Sequence, residues 1–214
     1  MDANLYVDGF NLFYRALRHT PWRWLDLQAL SLCLFEPEFT LRRIRYFTAL
    51  IRSGSHNPQK EIRQQTYLRA LRTIPQLDIH EGRFQSNTAK RPLAAPRSDG
   101  QEFVRVIETR EKGSDANLAA YLTRDAAKRD SQAAFVVTGD SDFVDVIRMV
   151  RREFNFPVHV IDPQQHVSRR LRDAATSYRL LDHSLLPECQ FPVKLLDSHG
   201  TIARPSAWRA SGER

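Results

Sequence analysis

The chain of 214 residues is poor in the residue types that announce several common chemistries. It has two cysteines, Cys33 and Cys189, too few for a disulfide framework or a thiolate zinc site, and both are read as bystanders. His56, His80, His159 and His166 show no i, i+4 pairing of the kind a helix-borne metal site needs. No apolar run approaches the roughly 18 to 20 residues of a membrane span. Met1 leads straight into a strand pattern rather than a leader, so no membrane partner and a cytoplasmic residence are expected. Glycine is scarce where a nucleotide-binding domain would need it, because the turn Asp8-Gly9-Phe10-Asn11 has one glycine and a carboxylate that would repel a diphosphate.

Acidic residues are in the minority, 25 against 32 Lys plus Arg, for a net charge of +7. Guanidinium groups grip phosphates bidentately, which favours a polyanion, nucleic acid first. Charge of this size is also common on proteins that bind no polyanion, so it does not decide alone. An apolar content of 42% is ordinary for one soluble domain of this length.

What the sequence does have is acid at the ends of apolar runs. Val136-Val137-Thr138-Gly139-Asp140-Ser141-Asp142-Phe143 stops on two carboxylates, and Leu5-Tyr6-Val7-Asp8-Gly9-Phe10-Asn11 stops on a carboxylate followed by an amide. Strands are expected at 3–8, 43–51, 77–84, 103–111, 133–138, 157–161 and 178–181. Helices are expected at 10–19, 26–35, 58–72, after Lys112-Gly113-Ser114-Asp115, at 142–153 and at 167–174. Ser53-Gly54-Ser55 reads as a turn, residues 85–102 as a long loop, and the chain after Pro187 as an extended arm. Alternating strands and helices predict an α/β fold, a largely parallel sheet with helices on both faces.

Asp8, Asp115, Asp140 and Asp142 each fall where a strand gives way to a helix, and in a parallel sheet those switches share one edge, where ligands bind. Each is also a suitable helix N-cap. Capping does not call for the second carboxylate of Asp140-Ser141-Asp142, nor for Asn11. Four carboxylates in one pocket repel one another unless protons or a cation neutralise them. Oxygen-only ligands select a hard ion, Mg²⁺ or Mn²⁺, and a water made acidic by such an ion can attack a phosphodiester. Lys112 is a candidate phosphate contact or a strand-closing lysine. Arg63 and Arg69 are candidate contacts to single-stranded RNA, with Tyr67 or a tryptophan for stacking, or else members of a solvated helix face. Trp22 and Trp24 are open between core and partner contact.

Five stretches resemble the NYN-domain proteins of the LabA-like group, relatives of PIN-domain nucleases. They are Tyr6 to Leu12, Arg63 to Leu71, Glu111 to Ala119, Thr138 to Phe143, and Ser168 to Leu171; the tail from Gln190 to Pro192 and Asp197 to Ile202 is similar as well. The resemblance implies a PIN-like three-layer α/β/α domain over 1–184 with a C-terminal extension over 185–214. It implies a metal-dependent ribonuclease, expected to cut endonucleolytically, with Asp8, Asp115, Asp140 and Asp142 as metal ligands, Asn11 assisting, and Ser141 orienting a ligand or phosphate. Residues 85–102 hold no cysteine, so no zinc module is expected there. A haloacid-dehalogenase-like phosphatase would need an acid two positions after Asp8, where Phe10 stands. An RNA- or protein-binding regulator with a retained metal site and little catalysis is the other reading, and a homodimer is allowed by both.

Overall fold

β5 (Ala133–Val137) reads as an unbroken apolar run, and β1 (Asp2–Asp8) as one interrupted between its end acids only by Asn4, because helices cover both faces of the sheet they occupy. Apart from Asp2, every residue in them is buried. The computed structural model, which describes residues 1–51 and 58–209, sets them side by side and parallel at the middle of a seven-stranded sheet. β2 (Thr40–Ala49) and β3 (Leu77–Pro92) extend it on one side, β6 (Val158–Asp162) and β7 (Ser177–Leu180) on the other, all parallel. β4 (Phe103–Lys112) pairs antiparallel with β3, giving the order β4-β3-β2-β1-β5-β6-β7. The chain works outward from β1 to β4 and then returns to β5, so the crevice beyond the C-terminal ends of β1 and β5 is a topological switch point.

α2 (Leu27–Leu34) and α3 (Pro58–Leu71) cover one face over Leu5, Val7 and Phe135. α4 (Ser114–Lys128), α5 (Val144–Phe154) and α6 (Arg169–Ala174) cover the other over Tyr6, Val136 and Val160. These are the three layers expected. α1 (Gly9–Leu12) is a single turn after β1 that continues as a π-helical turn over Phe13–Leu17.

Two expectations require correction. Residues 85–102 are not one loop, since β3 continues to Pro92 and β4 starts at Phe103, which leaves only 93–102 as the connection. Beyond the sheet the two strands satisfy each other's backbone groups while both faces stay largely exposed, so no apolar alternation marks β3 past Phe84, whereas β4 falls on the strand expected at 103–111. The C-terminal arm is also more than an extended chain. β8 (Lys194–Asp197) and β9 (Gly200–Ala203) form a hairpin, and Phe191, Ile202 and Trp208 enter the core beneath α3. Trp24 is fully buried there and its indole N–H donates to the Pro192 carbonyl at 2.9 Å.

Cys33 and Cys189 lie with their sulfurs 3.6 Å apart as free thiols. Burial and the neighbouring thiol push Cys189 up to about 12, so it keeps its proton at neutral pH and is a poor nucleophile. Among the described residues no helix is long and apolar enough to cross a membrane. The Ser53-Gly54-Ser55 turn and His56 lie outside the described residues.

Candidate active site

Strand parity places the first acid. Along β1, Ala3, Leu5 and Val7 point to the α2/α3 core and Tyr6 to the α4 side, so Asp8 emerges on the α4 side at the strand's end. β5 is in register, Val7 against Val137, which brings Thr138 alongside Asp8. One Asp8 oxygen accepts the Asn11 backbone N–H at 2.9 Å and the other accepts the Thr138 hydroxyl at 3.0 Å. The Asn11 side-chain oxygen, Oδ1, accepts the Gly139 N–H at 3.0 Å, and the Thr138 hydroxyl oxygen accepts the Asp140 N–H at 3.1 Å. Asp140 in turn caps the following 3₁₀ turn, Ser141–Phe143, by accepting the Asp142 N–H at 2.9 Å. The two strand ends are therefore stitched together by the site's own side chains. A Cβ at Gly139 would meet the ends of the Gln164 and Asp162 side chains, which would have to shift to admit it.

Asp115 reaches the same edge by another route. β4 is antiparallel and returns from beyond the sheet, so its end at Lys112, not its start, meets the C-terminal edge opposite Arg83. Gly113, at φ +107°, turns the chain into α4, a conformation that L-residues with side chains rarely adopt. Glu111 accepts the Ser114 N–H at 3.0 Å, and the Ser114 hydroxyl donates to Asp115 at 3.3 Å.

Asp8, Asn11, Glu111, Ser114, Asp115 and Asp140 line a pocket of about 300 Å³, rimmed by Phe10, Tyr14 and Phe84. Burial raises the Asp8 carboxyl from 3.8 to about 6 despite its two hydrogen bonds, and the charges of Asp115 and Asp140 add to the rise. Desolvation also raises Asp115, followed by repulsion from Glu111, Asp140 and Asp142. Among the described residues no group of three His, Cys, Asp or Glu side chains is close enough to grip one metal ion together.

α4 is held in place lower down by a network invisible in the sequence pattern. Asp125, 0% exposed, accepts the Tyr6 hydroxyl at 2.8 Å, Arg45 at 2.6 and 3.3 Å, and Arg124 at 2.8 and 3.0 Å. Burial and the nearby Asp125 charge keep the Tyr6 hydroxyl protonated.

The remaining predicted residues separate. Asp142 is exposed and does not line the pocket, although its charge reaches Asp115. Ser141 begins the 3₁₀ turn and also lies outside the lining. Lys112 alternates with Glu111 along β4 and stands on the opposite hairpin face from it. Arg69 is taken up by a bidentate pair with Asp197 of the C-terminal hairpin, at 2.7 and 2.5 Å, which makes it a clamp on the tail instead of an open phosphate contact. Arg63 lies near Arg23, whose charge is disfavoured by burial and by Arg63, and it does not line the pocket. Tyr67 is buried, with its hydroxyl donating to the Leu25 carbonyl at 2.8 Å, so it offers no stacking surface. Trp24 is core, and Trp22 packs against it.

Sequence reasoning missed Glu111, Thr138 and Phe84. Glu111 and Thr138 both lie within the stretches that resemble the family, and the strand register is what brings them to the site. Phe84 ends the strand expected at 77–84, and its place at the pocket depends on the hairpin.

The fold and its acidic crevice define a PIN-like nuclease type of domain. Within that class the chain belongs to the NYN domain family, whose model matches residues 2–182. It is similar to 6-hydroxy-3-succinoylpyridine 3-monooxygenase HspA of Pseudomonas putida, 26% identical over 241 residues, covering 100% of this chain and 77% of that one. A solved structure of a protein of unknown function from Vibrio parahaemolyticus superposes with a TM-score of 0.53 and 16% identity, covering 85% of this chain and 93% of that chain. That likeness concerns the fold alone. Family membership suggests a nuclease-type activity.

Proposed function

We propose that this protein is a ribonuclease that depends on Mg²⁺ or Mn²⁺ and hydrolyses internal phosphodiester bonds of single-stranded RNA at the acidic pocket. The observation that carries the reading is the convergence of Asp8, Asp115 and Asp140, with Glu111, on one pocket at the switch point of the sheet. The motifs shared with the LabA-like group support the same assignment.

The donor set fits a hard cation. It is all oxygen, and its carboxyls are raised by burial and mutual repulsion, which a cation would relieve. The acids do not close on a common point in threes, which suits an ion held by one or two carboxylates with water and substrate oxygen completing its shell. When bound, the ion would supply Lewis-acid stabilisation of phosphate charge and an acidified water. Asp8, fixed through both oxygens by Asn11 and Thr138, would hold its carboxylate in one orientation. Asp115, Glu111 and Asp140 would complete the negative wall, with Asp142 reinforcing it from outside. Ser141, next to Asp140 in the chain, would serve a flanking phosphate, whereas Lys112, on the hairpin face away from Glu111, would do so only for a strand that passes over that face.

Purified protein incubated with end-labelled single-stranded RNA in Mn²⁺ or Mg²⁺ should cleave it, and EDTA or the Asp140→Ala substitution should stop it. RNA that is bound yet stays intact under each metal would instead favour a regulator. A second reading comes from the P. putida relative, since the pocket rim of Phe10, Tyr14 and Phe84 can also face an aromatic ring. Oxygen uptake that depends on both 6-hydroxy-3-succinoylpyridine and an added reductant would support it.

A further inference from the structure

Beyond the sheet, the β3–β4 hairpin continues alone. The last β2 pairing is Ala49 with Gly82, and from Arg83 opposite Lys112 to Pro92 opposite Phe103 the two strands pair only with each other. Those ten residue pairs make an arm about 30 Å long. The arm is rooted in the acidic pocket, because Phe84 and Glu111 are paired across it and both line that pocket.

Pleating gives the arm two unlike faces. The face continuing from Phe84 carries Ser86, Thr88 and Lys90 on β3 and Arg105, Ile107 and Thr109 on β4, and its one carboxylate is Glu111 at the pocket end. Lys90 lies over the Phe103 ring at 4.6 Å, Ser86 and Thr109 share a hydroxyl hydrogen bond of 2.7 Å, and Arg105 makes no ion pair among the described residues. Ile107 is 80% exposed and Phe103 is 42% exposed. On the reverse face Arg91 and Arg110 both bind Glu108, at 2.5 and 2.7 Å, Arg83 and Lys112 are its further cations, and it has no aromatic ring. At the root, Phe84 meets Phe10 edge-on at 5.8 Å, and Phe10 stacks with Tyr14 at 6.4 Å. Tyr14 is 54% exposed, with the Arg18 guanidinium 5.4 Å from its ring.

We infer that this face of the hairpin, with Phe10 and Tyr14 at its root, is a binding track that leads single-stranded RNA to the acidic pocket. The inference rests on the cleavage reading and names how its substrate is held. Open cations, hydroxyls and exposed rings in a row are what a sequence-tolerant contact to phosphates and unstacked bases uses. Cations are also needed close by, because the pocket itself repels a polyanion.

The test is binding of a fluorescein-labelled oligouridine 20-mer, read by anisotropy in EDTA so that turnover plays no part. The doubly substituted Lys90→Glu, Arg105→Glu protein should bind at least about 10-fold more weakly. Its log–log salt slope should be smaller by about 1.4, the share of two phosphate contacts on a single strand. Arg110→Gln, on the reverse face, should stay within about twofold of wild type. Unchanged affinity in the double variant, or an equal loss in Arg110→Gln, would overturn the track. So would sedimentation showing a dimer that Ile107→Ser dissociates while RNA affinity holds, since that face would then join two copies of the chain. Should the affinity pattern appear while RNA remains uncut in every metal, the track stands and the nuclease reading fails.

Discussion

Two aspartates on α4, ten residues and about 15 Å apart along its axis, meet opposite treatment. Asp125 is wholly buried, and Arg45, Arg124 and the Tyr6 hydroxyl surround its carboxylate with donors. Asp115, at the first turn, has one donor in Ser114 and otherwise faces Glu111, Asp140 and Asp142. The lower end of the helix is compensated within the chain, and the upper end is left for something from outside to compensate. Charge left unbalanced beside a rigid, hydrogen-bonded strand end is the physical mark of a binding site.

Removing the compensated end should have the largest effect. Asp125→Ala leaves the Arg45 guanidinium buried without its main partner and should cost about 3–5 kcal/mol of folding free energy, measurable by urea unfolding. A variant nearly as stable as wild type would mean that the network is not what holds α4.

At the open end the loss should fall on activity. Asp140→Ala should lower RNA cleavage about 100-fold or more, as removal of a group that orients or holds a metal does, while costing about 1 kcal/mol of stability through the lost cap. Equal cleavage by the two proteins would separate the pocket from the chemistry.

Asp8→Asn should sharpen the contrast by moving stability upward. The folded carboxyl, near 6 against an ordinary 3.8, binds its proton more tightly than the unfolded one. The metal-free wild type therefore loses stability as pH rises from about 4 to about 6, and the cost is complete above that window. The neutral variant escapes it and should be about 1–3 kcal/mol more stable than wild type at pH 8 in EDTA, yet inactive. Thermal melts of both proteins at pH 4 and pH 8 check the sign, because the difference should vanish at the lower pH.

The smallest change is expected at Arg69. Arg69→Gln releases the C-terminal hairpin without touching the pocket, so limited proteolysis over residues 194–203 should accelerate while RNA affinity stays within about twofold. A large loss of RNA binding would restore Arg69 as a phosphate contact.

The layers of the fold were legible because buried parallel strands announce themselves as apolar runs and helices by their spacing. Asp8, Asp115 and Asp140 were legible because each ends such a run or opens such a helix. The outer part of β3, from Gln85 to Pro92, was not, although its partner β4 falls where a strand is expected at 103–111, since a strand exposed on both faces has no burial pattern and is held by backbone hydrogen bonds that every residue type can make. Nor was the fate of Arg45, Arg69 and Tyr67, which depends on partners 80, 128 and 42 residues away. The sequence by itself determined the α/β class and which acids arrive at one edge, because hydrophobic period and strand-end position are local properties. Only the tertiary structure decided which of those acids share a pocket, which cations are already paired, and which aromatic rings stay open, because charge compensation and exposure are properties of neighbours brought together by the fold.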